Sequence, residues 1–242
     1  MSHDRSGSKS GSTPLLKSDP PSQPVLRLIY LCTSNVCRSS FAEAVAAGIV
    51  AECKLDSSVY VASRGLTDGY SPWGHPAEPR MTLAAKKMRV RAAVLSRMAE
   101  HKSAMLTQAE AADPDTILFL VTSHHIDWTR QAVGSEVIAD AQMTGRLRLI
   151  DSSGGDVADP YFGGQEEYNT VAAHILAELP RTLDAVLRER GLLEQGDVVC
   201  KPPIVSGTEC SDVEVVDLEA AASAGREYGA IQGGAYAPRK RQ

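Results

Sequence analysis

The pattern of apolar and polar positions divides the chain into three stretches. Residues 1–24 are rich in Ser, Gly, Pro and Lys and poor in apolar positions, the pattern of a disordered leader. From 25 to 195 apolar segments recur with regular periods. From 196 to 242 the pattern dissolves into scattered Gly, Pro, Ala and acidic residues and closes on Arg239-Lys240-Arg241. That stretch reads as a C-terminal tail, mostly disordered, in which Asp212–Ala222 could form one short helix.

Within 25–195, four short apolar runs predict strands: Leu26–Leu31, Val59–Ala62, Thr116–Val121 and Leu147–Ile150. The first and third are almost continuously apolar, as strands covered on both faces are. Helical patterns over Ala42–Ala51, Pro79–Met88 and Ile126–Ala141 lie between them. The strongest helix comes last. Tyr168, Val171, Ala172, Ile175, Leu176, Leu179, Leu183, Val186 and Leu187 form one apolar stripe at 3.6 spacing. Pro180 lies inside that stripe and predicts a kink or a break. Strands alternating with helices predict the α/β class: a doubly wound, four-stranded parallel sheet with helices on both faces, in a single domain at 25–195.

Composition narrows the partners. A formal net charge of -5 gives no reason to expect nucleic acid or an anionic membrane surface. No apolar run approaches the ~18 residues of a membrane span. The first twenty residues lack the apolar core of a secretory signal. Five cysteines, an odd count without regular spacing, point to a reducing, cytoplasmic setting. No Cys and His cluster has metal-ligand spacing, so no metal or other cofactor is expected. The pattern sets no oligomeric state.

The chemistry concentrates where the first strand ends. Leu28-Ile29-Tyr30-Leu31 runs into Cys32-Thr33-Ser34-Asn35-Val36-Cys37-Arg38-Ser39-Ser40, and a helical pattern follows directly. The Cys-to-Arg spacing is weak by itself. Its position is stronger, because parallel α/β sheets bind ligands at the carboxyl ends of their strands. Loop N–H groups there converge on an anion, and the helix N-terminus adds partial positive charge. Together with Arg38 and the Ser39 hydroxyl, they favour a thiolate at Cys32, a nucleophile that needs no general base. Arg38 offers a planar fork for two phosphate oxygens.

Cys32 to Ser39 resembles the active-site loop of the low-molecular-weight protein tyrosine phosphatases, and the resemblance extends over about 26–193. It implies a phosphatase acting on phosphotyrosine-bearing proteins through a phosphocysteine on Cys32, with Arg38 on the phosphoryl group. Thr33, Ser34, Asn35, Val36, Cys37 and Ser39 would bind the phosphate. The family's general acid, the Asp of an Asp-Pro-aromatic motif, maps onto Asp159 of Asp159-Pro160-Tyr161-Phe162. Asp151 and Asp156 nearby read as turn residues. Tyr161 and Phe162 match the aromatic pair that walls the family's substrate slot, and Trp73 is a second candidate wall. Asn35 and Ser39 resemble residues that hold the loop's shape by hydrogen bonds; Ser63 and His101 align with two more. Cys37 is placed to act as a resolving thiol if Cys32 is oxidised.

The chain also departs from the family. Ser34 stands where Gly is usual and predicts strain if that position needs positive φ. Ser40 replaces a common Pro. Leu120-Val121-Thr122 replace a usual Met-Asp pair, and the linker around Arg89–Glu100 is longer. Related arsenate reductases need two further cysteines near the third strand, and 113–135 contain none. A protein arginine phosphatase remains an alternative, because Val36 has the shape of that group's Thr without its hydroxyl. A pseudophosphatase that binds phosphate without turnover is a third reading.

Overall fold

Seven residues in a row, Leu26–Cys32, form strand β1, and only Arg27 among them is not fully buried. That continuity marks β1 as an interior strand. In the computed structural model, which describes residues 26–67, 73–194, 196 and 200–205, it is flanked on both sides. The elements that follow are α1 (Arg38–Glu52), β2 (Val59–Gly65), α2 (Pro79–Lys87), α3 (Ala92–Glu100) and α4 (Gln108–Ala112). Then come β3 (Thr116–Leu120), α5 (His125–Val133), α6 (Ser135–Met143), β4 (Leu147–Leu149) and α7 (Gln165–Glu189).

The sheet order is β2-β1-β3-β4 and every pairing is parallel. The register runs from Leu26 opposite Val59 to Cys32 opposite Gly65, and on the other side from Arg27 opposite Thr116 to Leu31 opposite Leu120. The chain therefore leaves β1 toward one neighbour and later returns to its other side. The order reverses beside β1, and this fold class opens its ligand crevice at such a point, outside the carboxyl ends of the strands.

Alternation along β1 builds two cores. Leu26, Leu28 and Tyr30 pack with Phe41, Val45, Met81, Met98, Tyr168 and Ile175, which come from α1, α2, α3 and α7. Ile29 and Leu31 pack on the opposite face with Leu118, Leu120, Ala111, Val133 and Ile138, which bring in α4, α5 and α6. The doubly wound sheet expected from the alternating pattern is the fold observed.

Several elements differ from the expectation. The pattern at Ile126–Ala141 is two helices, because Gly134 at φ 99° breaks it between α5 and α6. The long linker contains α3, which buries Val94 and Met98. A capping box in which Thr107 and Glu110 bond reciprocally starts α4. Pro180 does not break the last helix, which runs unbroken over 25 residues. An interior proline costs ~3 kcal/mol. The apolar stripe continues buried on both sides of it through Leu187, and each large apolar side chain buried there contributes ~1.5–3 kcal/mol.

Residues 200–205, which composition assigns to the tail, lie on the domain. The Pro203 ring and Val94 both sit against Gly48, and Ile204 pairs with Val90 as an antiparallel bridge. The backbone N–H of Arg91 donates to the Pro203 carbonyl at 2.8 Å. The leader and the Asp212–Ala222 segment fall outside the described residues.

Candidate active site

Cys32 ends β1 and Arg38 begins α1, so the intervening loop sits at the carboxyl edge of the sheet. Cys32 is buried, and its Sγ lies 2.9 Å from Ser39 Oγ. The loop is shaped from inside by Asn35. Its Nδ2 donates to Ser39 Oγ at 3.0 Å and to Ser63 Oγ at 2.8 Å, and its Oδ1 accepts from Ala104 N–H at 2.9 Å. Asn35 has φ 56°, the left-handed region that Asn tolerates better than most residues. The strain expected at Ser34 is absent, because the positive φ falls on Asn35 instead. Ser40 Oγ donates to the Cys37 carbonyl at 2.8 Å and closes the loop onto the helix.

A further layer supports Asn35. His101 Nε2 is 2.6 Å from the Asn35 carbonyl oxygen, and Ser63 Oγ donates to Glu43 Oε2 at 2.5 Å. His101 Nδ1 lies 3.6 Å from the same carboxylate oxygen, and Arg97 pairs with Oε1 at 2.9 Å. Burial pushes the Glu43 pKa up, but hydrogen bonds from His101 and Ser63 and the Arg97 charge outweigh it, and the net shift is downward. Glu43 was not singled out from the sequence. Its one signal is a lone carboxylate in the otherwise small and apolar run Ser39-Ser40-Phe41-Ala42-Glu43-Ala44-Val45.

The loop carrying Asp159 folds over the opening. Arg38 Nη2 donates to Asp159 Oδ2 at 2.8 Å, and Arg38 Nη1 donates to the Val157 carbonyl at 3.1 Å. Arg38 is 4% exposed in its side chain and Asp159 32%, so a buried cation meets a carboxylate at the rim. Asp159 Oδ1 also accepts the Tyr161 N–H at 3.2 Å. Cys37, which precedes Arg38 in the chain, is buried. Burial above all, and nearby Cys32, Asp159 and Glu78, hold its thiol pKa well above the ordinary value despite Arg38.

Three aromatic side chains border the opening or its flank. Tyr161 and Phe162 meet edge to face at 5.1 Å between ring centroids, and Phe162 is 81% exposed. They are rim residues, not core residues. Trp73 lies across Gly65, where an added Cβ would come within 2.6 Å of the indole and 3.3 Å of the Ser34 carbonyl carbon. Gly65 thus permits the indole's close approach beside the loop. Arg80 clamps the far end of the Asp159 loop: it donates to the Gly163 carbonyl at 3.1 Å and stacks over the Tyr168 ring at 4.5 Å.

The arrangement collects, around one point at a strand's carboxyl end, a buried sulfur with a hydroxyl partner, a buried guanidinium and an overhanging carboxylate. The profile of the low molecular weight phosphotyrosine protein phosphatases matches residues 27–192. This chain belongs to that family. As a low molecular weight phosphatase it is a cysteine-dependent hydrolase. It is 31% identical over 166 residues to the low molecular weight protein-tyrosine phosphatase A of Mycobacterium tuberculosis and of Mycobacterium bovis, over 66% of this chain and 91% of the relative. Two solved structures share the fold. Vibrio vulnificus Wzb, determined with benzylphosphonate, superposes with a TM-score of 0.52 at 20% identity over 68% of this chain and 99% of that one. The YwlE arginine phosphatase from Geobacillus stearothermophilus superposes with a TM-score of 0.51 at 22% identity over 70% and 97%. Among the described residues, no helix of this phosphatase is long and apolar enough to cross a membrane.

Proposed function

We propose that this phosphatase is a cytoplasmic enzyme that hydrolyses phosphotyrosine in protein substrates through a phosphocysteine on Cys32. The observation that carries the reading is the 2.8 Å contact between Arg38 and Asp159, made at the end of the same loop whose Cys32 and Ser39 side chains meet at 2.9 Å. It joins a phosphate-binding cation and a proton donor at one mouth. The substrate phosphoryl group takes over the Arg38 fork and the loop N–H groups, and Asp159 is released toward the leaving oxygen.

In the first step the Cys32 sulfur bonds to phosphorus as the bond from phosphorus to the phenolic oxygen breaks. Asp159 gives its proton to that oxygen, and tyrosine leaves. In the second, the Asp159 carboxylate takes a proton from water while the water oxygen bonds to phosphorus. The phosphorus–sulfur bond breaks, inorganic phosphate departs, and the thiolate returns protected by Ser39 Oγ. Oriented donors around the phosphoryl oxygens stabilise charge as it redistributes in both steps. If peroxide oxidises Cys32 to a sulfenic acid, Cys37 is the nearest candidate in the loop to condense with it and release water.

The test is hydrolysis of an aryl phosphate and of a phosphotyrosine peptide by wild type and Cys32→Ser, with acid-quenched mass spectrometry for phosphate on Cys32. Turnover in the wild type, none in the variant, and a trapped adduct on Cys32 are expected. Full turnover in Cys32→Ser would end the reading. The exposed Tyr161–Phe162 pair favours an aromatic substrate over phosphoarginine. Val36→Thr assayed on both phosphoamino acids tests that preference, and a wild type faster on phosphoarginine would reverse it.

A further inference from the structure

The turn between β3 and α5 touches both loops of the site. On one side Val157 N–H donates to the Val121 carbonyl at 2.7 Å. Asp156 accepts from Ser123 twice, from its N–H at 2.6 Å and from its hydroxyl at 3.2 Å. Asp156 lies three residues before Asp159, so these bonds anchor the base of the acid loop. On the other side His125 Nε2 lies 3.2 Å from Thr33 Oγ1, and Thr33 directly follows Cys32. The Thr33 carbonyl is itself held by the N–H groups of Leu66 and Thr67 at 3.0 and 3.3 Å. The first residue of the phosphate loop is therefore held from two sides.

His125 is an expensive way to fill this space. It is 3% exposed, and its Nδ1 has no hydrogen-bond partner. An orphaned buried polar atom costs ~1–3 kcal/mol. Burial first, then Arg38 and His124, hold its pKa well below the ordinary value, so the ring is neutral. Its ring lies 5.2 Å from that of Trp128. A phenylalanine would keep that ring contact and remove the orphan. What only the imidazole supplies is the bond to Thr33.

We propose that the β3–α5 turn, with the first residue of α5, is the positioning element of this active site: His125 fixes the start of the phosphate loop through Thr33, and Ser123 fixes the acid loop through Asp156. The proposal rests on the phosphatase reading above, with Cys32 as nucleophile and Asp159 as acid. Neither His125 nor Ser123 is asked to touch substrate. The turn is also where the sequence departs from the family's usual Met-Asp pair.

The two links have different signatures. A loosened phosphate loop weakens every phosphoryl ligand equally. A misaimed acid weakens only reactions that need a proton on the leaving group. In His125→Phe and in Thr33→Val, the inhibition constant of inorganic phosphate should rise roughly 3- to 10-fold. The value of kcat/KM should fall by the same factor for phenyl phosphate and p-nitrophenyl phosphate. The double variant should be no worse than either single variant, because both cut one bond. Thr33→Ser, which keeps the hydroxyl, should recover most of the Thr33→Val loss. In Asp156→Ala, phosphate inhibition should move less than about twofold. There kcat/KM should fall about tenfold for phenyl phosphate and much less for p-nitrophenyl phosphate, whose phenolate leaves without a proton.

Unchanged phosphate inhibition in Thr33→Val, or multiplying losses in the double variant, overturns the His125 link. An equal loss on both substrates in Asp156→Ala overturns the Ser123 link. Thr33→Val carries the first test if His125→Phe does not fold. The underlying reading fails separately, by turnover that survives Cys32→Ser.

Discussion

Arg38 and Asp159, 121 positions apart in the chain, share a 2.8 Å ion pair across the mouth of the candidate site. In the proposed mechanism the pair couples binding to acid catalysis, because the cation assigned to the phosphoryl dianion is already engaged by the proposed acid. A dianion has to displace that carboxylate to gain the full guanidinium fork.

Asp159→Asn should therefore have two opposite effects. Loss of the proton donor lowers kcat for phenyl phosphate by ~10²–10⁴. Loss of the competing charge lowers the inhibition constant of inorganic phosphate, by up to about 5-fold for a partly exposed pair worth up to ~1 kcal/mol. Steady-state kinetics with phosphate as inhibitor measures both. A weaker phosphate inhibitor in the variant would show that Asp159 does not compete for Arg38.

Asn35 makes a different kind of demand, since both its backbone and its side chain are used. Asn35→Gly keeps access to φ 56° and loses the bonds to Ser39, Ser63 and Ala104. Asn35→Ala loses the bonds and adds left-handed strain of ~1–2 kcal/mol. Both should lower kcat, and thermal unfolding should rank them wild type, then Gly, then Ala. Ala as stable as Gly would mean that the loop relaxes out of the left-handed conformation.

The strands, the Cys32-to-Arg38 loop and Asp159 were legible because each depends on short-range order. β1 and β3 are unbroken apolar runs, and the catalytic candidates lie in contiguous motifs. What was not legible depends on contacts distant in sequence. Glu43 gains meaning only when Ser63, Arg97 and His101 arrive from β2, α3 and the chain just after α3. His125 reads as one of two adjacent histidines until the sheet order sets it beside Thr33. The helix continues through Pro180 for a related reason: local propensity counts the lost hydrogen bond, and the burial that offsets it is tertiary. The condition for strain at Ser34 is not met, because the loop places its left-handed residue a position later, at Asn35.

The chain leading from β4 into the acid loop is held by a buried pair. His174 Nε2 lies 2.8 Å from Asp151 Oδ2, and both side chains are fully shielded from solvent. Burial alone would raise the Asp151 pKa. Hydrogen bonds from His174 and Ser153 outweigh it and hold the carboxyl well below the usual carboxylate range. A depressed folded-state value contributes stability above the unfolded value of ~3.9 and loses it as pH falls further through the folded value. His174→Leu leaves the carboxylate buried without this partner and should cost ~3–5 kcal/mol, about 10 °C in Tm. The stability gap between wild type and Asp151→Asn should be full at pH 7 and shrink below about pH 4. A gap that stays constant down to pH 2.5 would remove Asp151 from the acid sensitivity of the fold.

Phe162 separates recognition from folding. At 81% exposure it contributes little to the core, so Phe162→Ala should leave stability within about 0.5 kcal/mol of wild type. Its edge-to-face partner Tyr161 is half as exposed and follows Asp159, whose Oδ1 accepts its N–H, and the proposed function assigns the entering substrate ring to this pair. An aromatic contact contributes ~0.5–1.5 kcal/mol, so kcat/KM for a phosphotyrosine peptide should fall about 2- to 10-fold. Inorganic phosphate has no ring and should inhibit the variant as it inhibits wild type. If Phe162→Ala weakens phosphate and peptide equally, the side chain acts on the acid loop's position. If peptide turnover is unchanged, the ring enters elsewhere, and the Trp73 side of the opening becomes the wall to test.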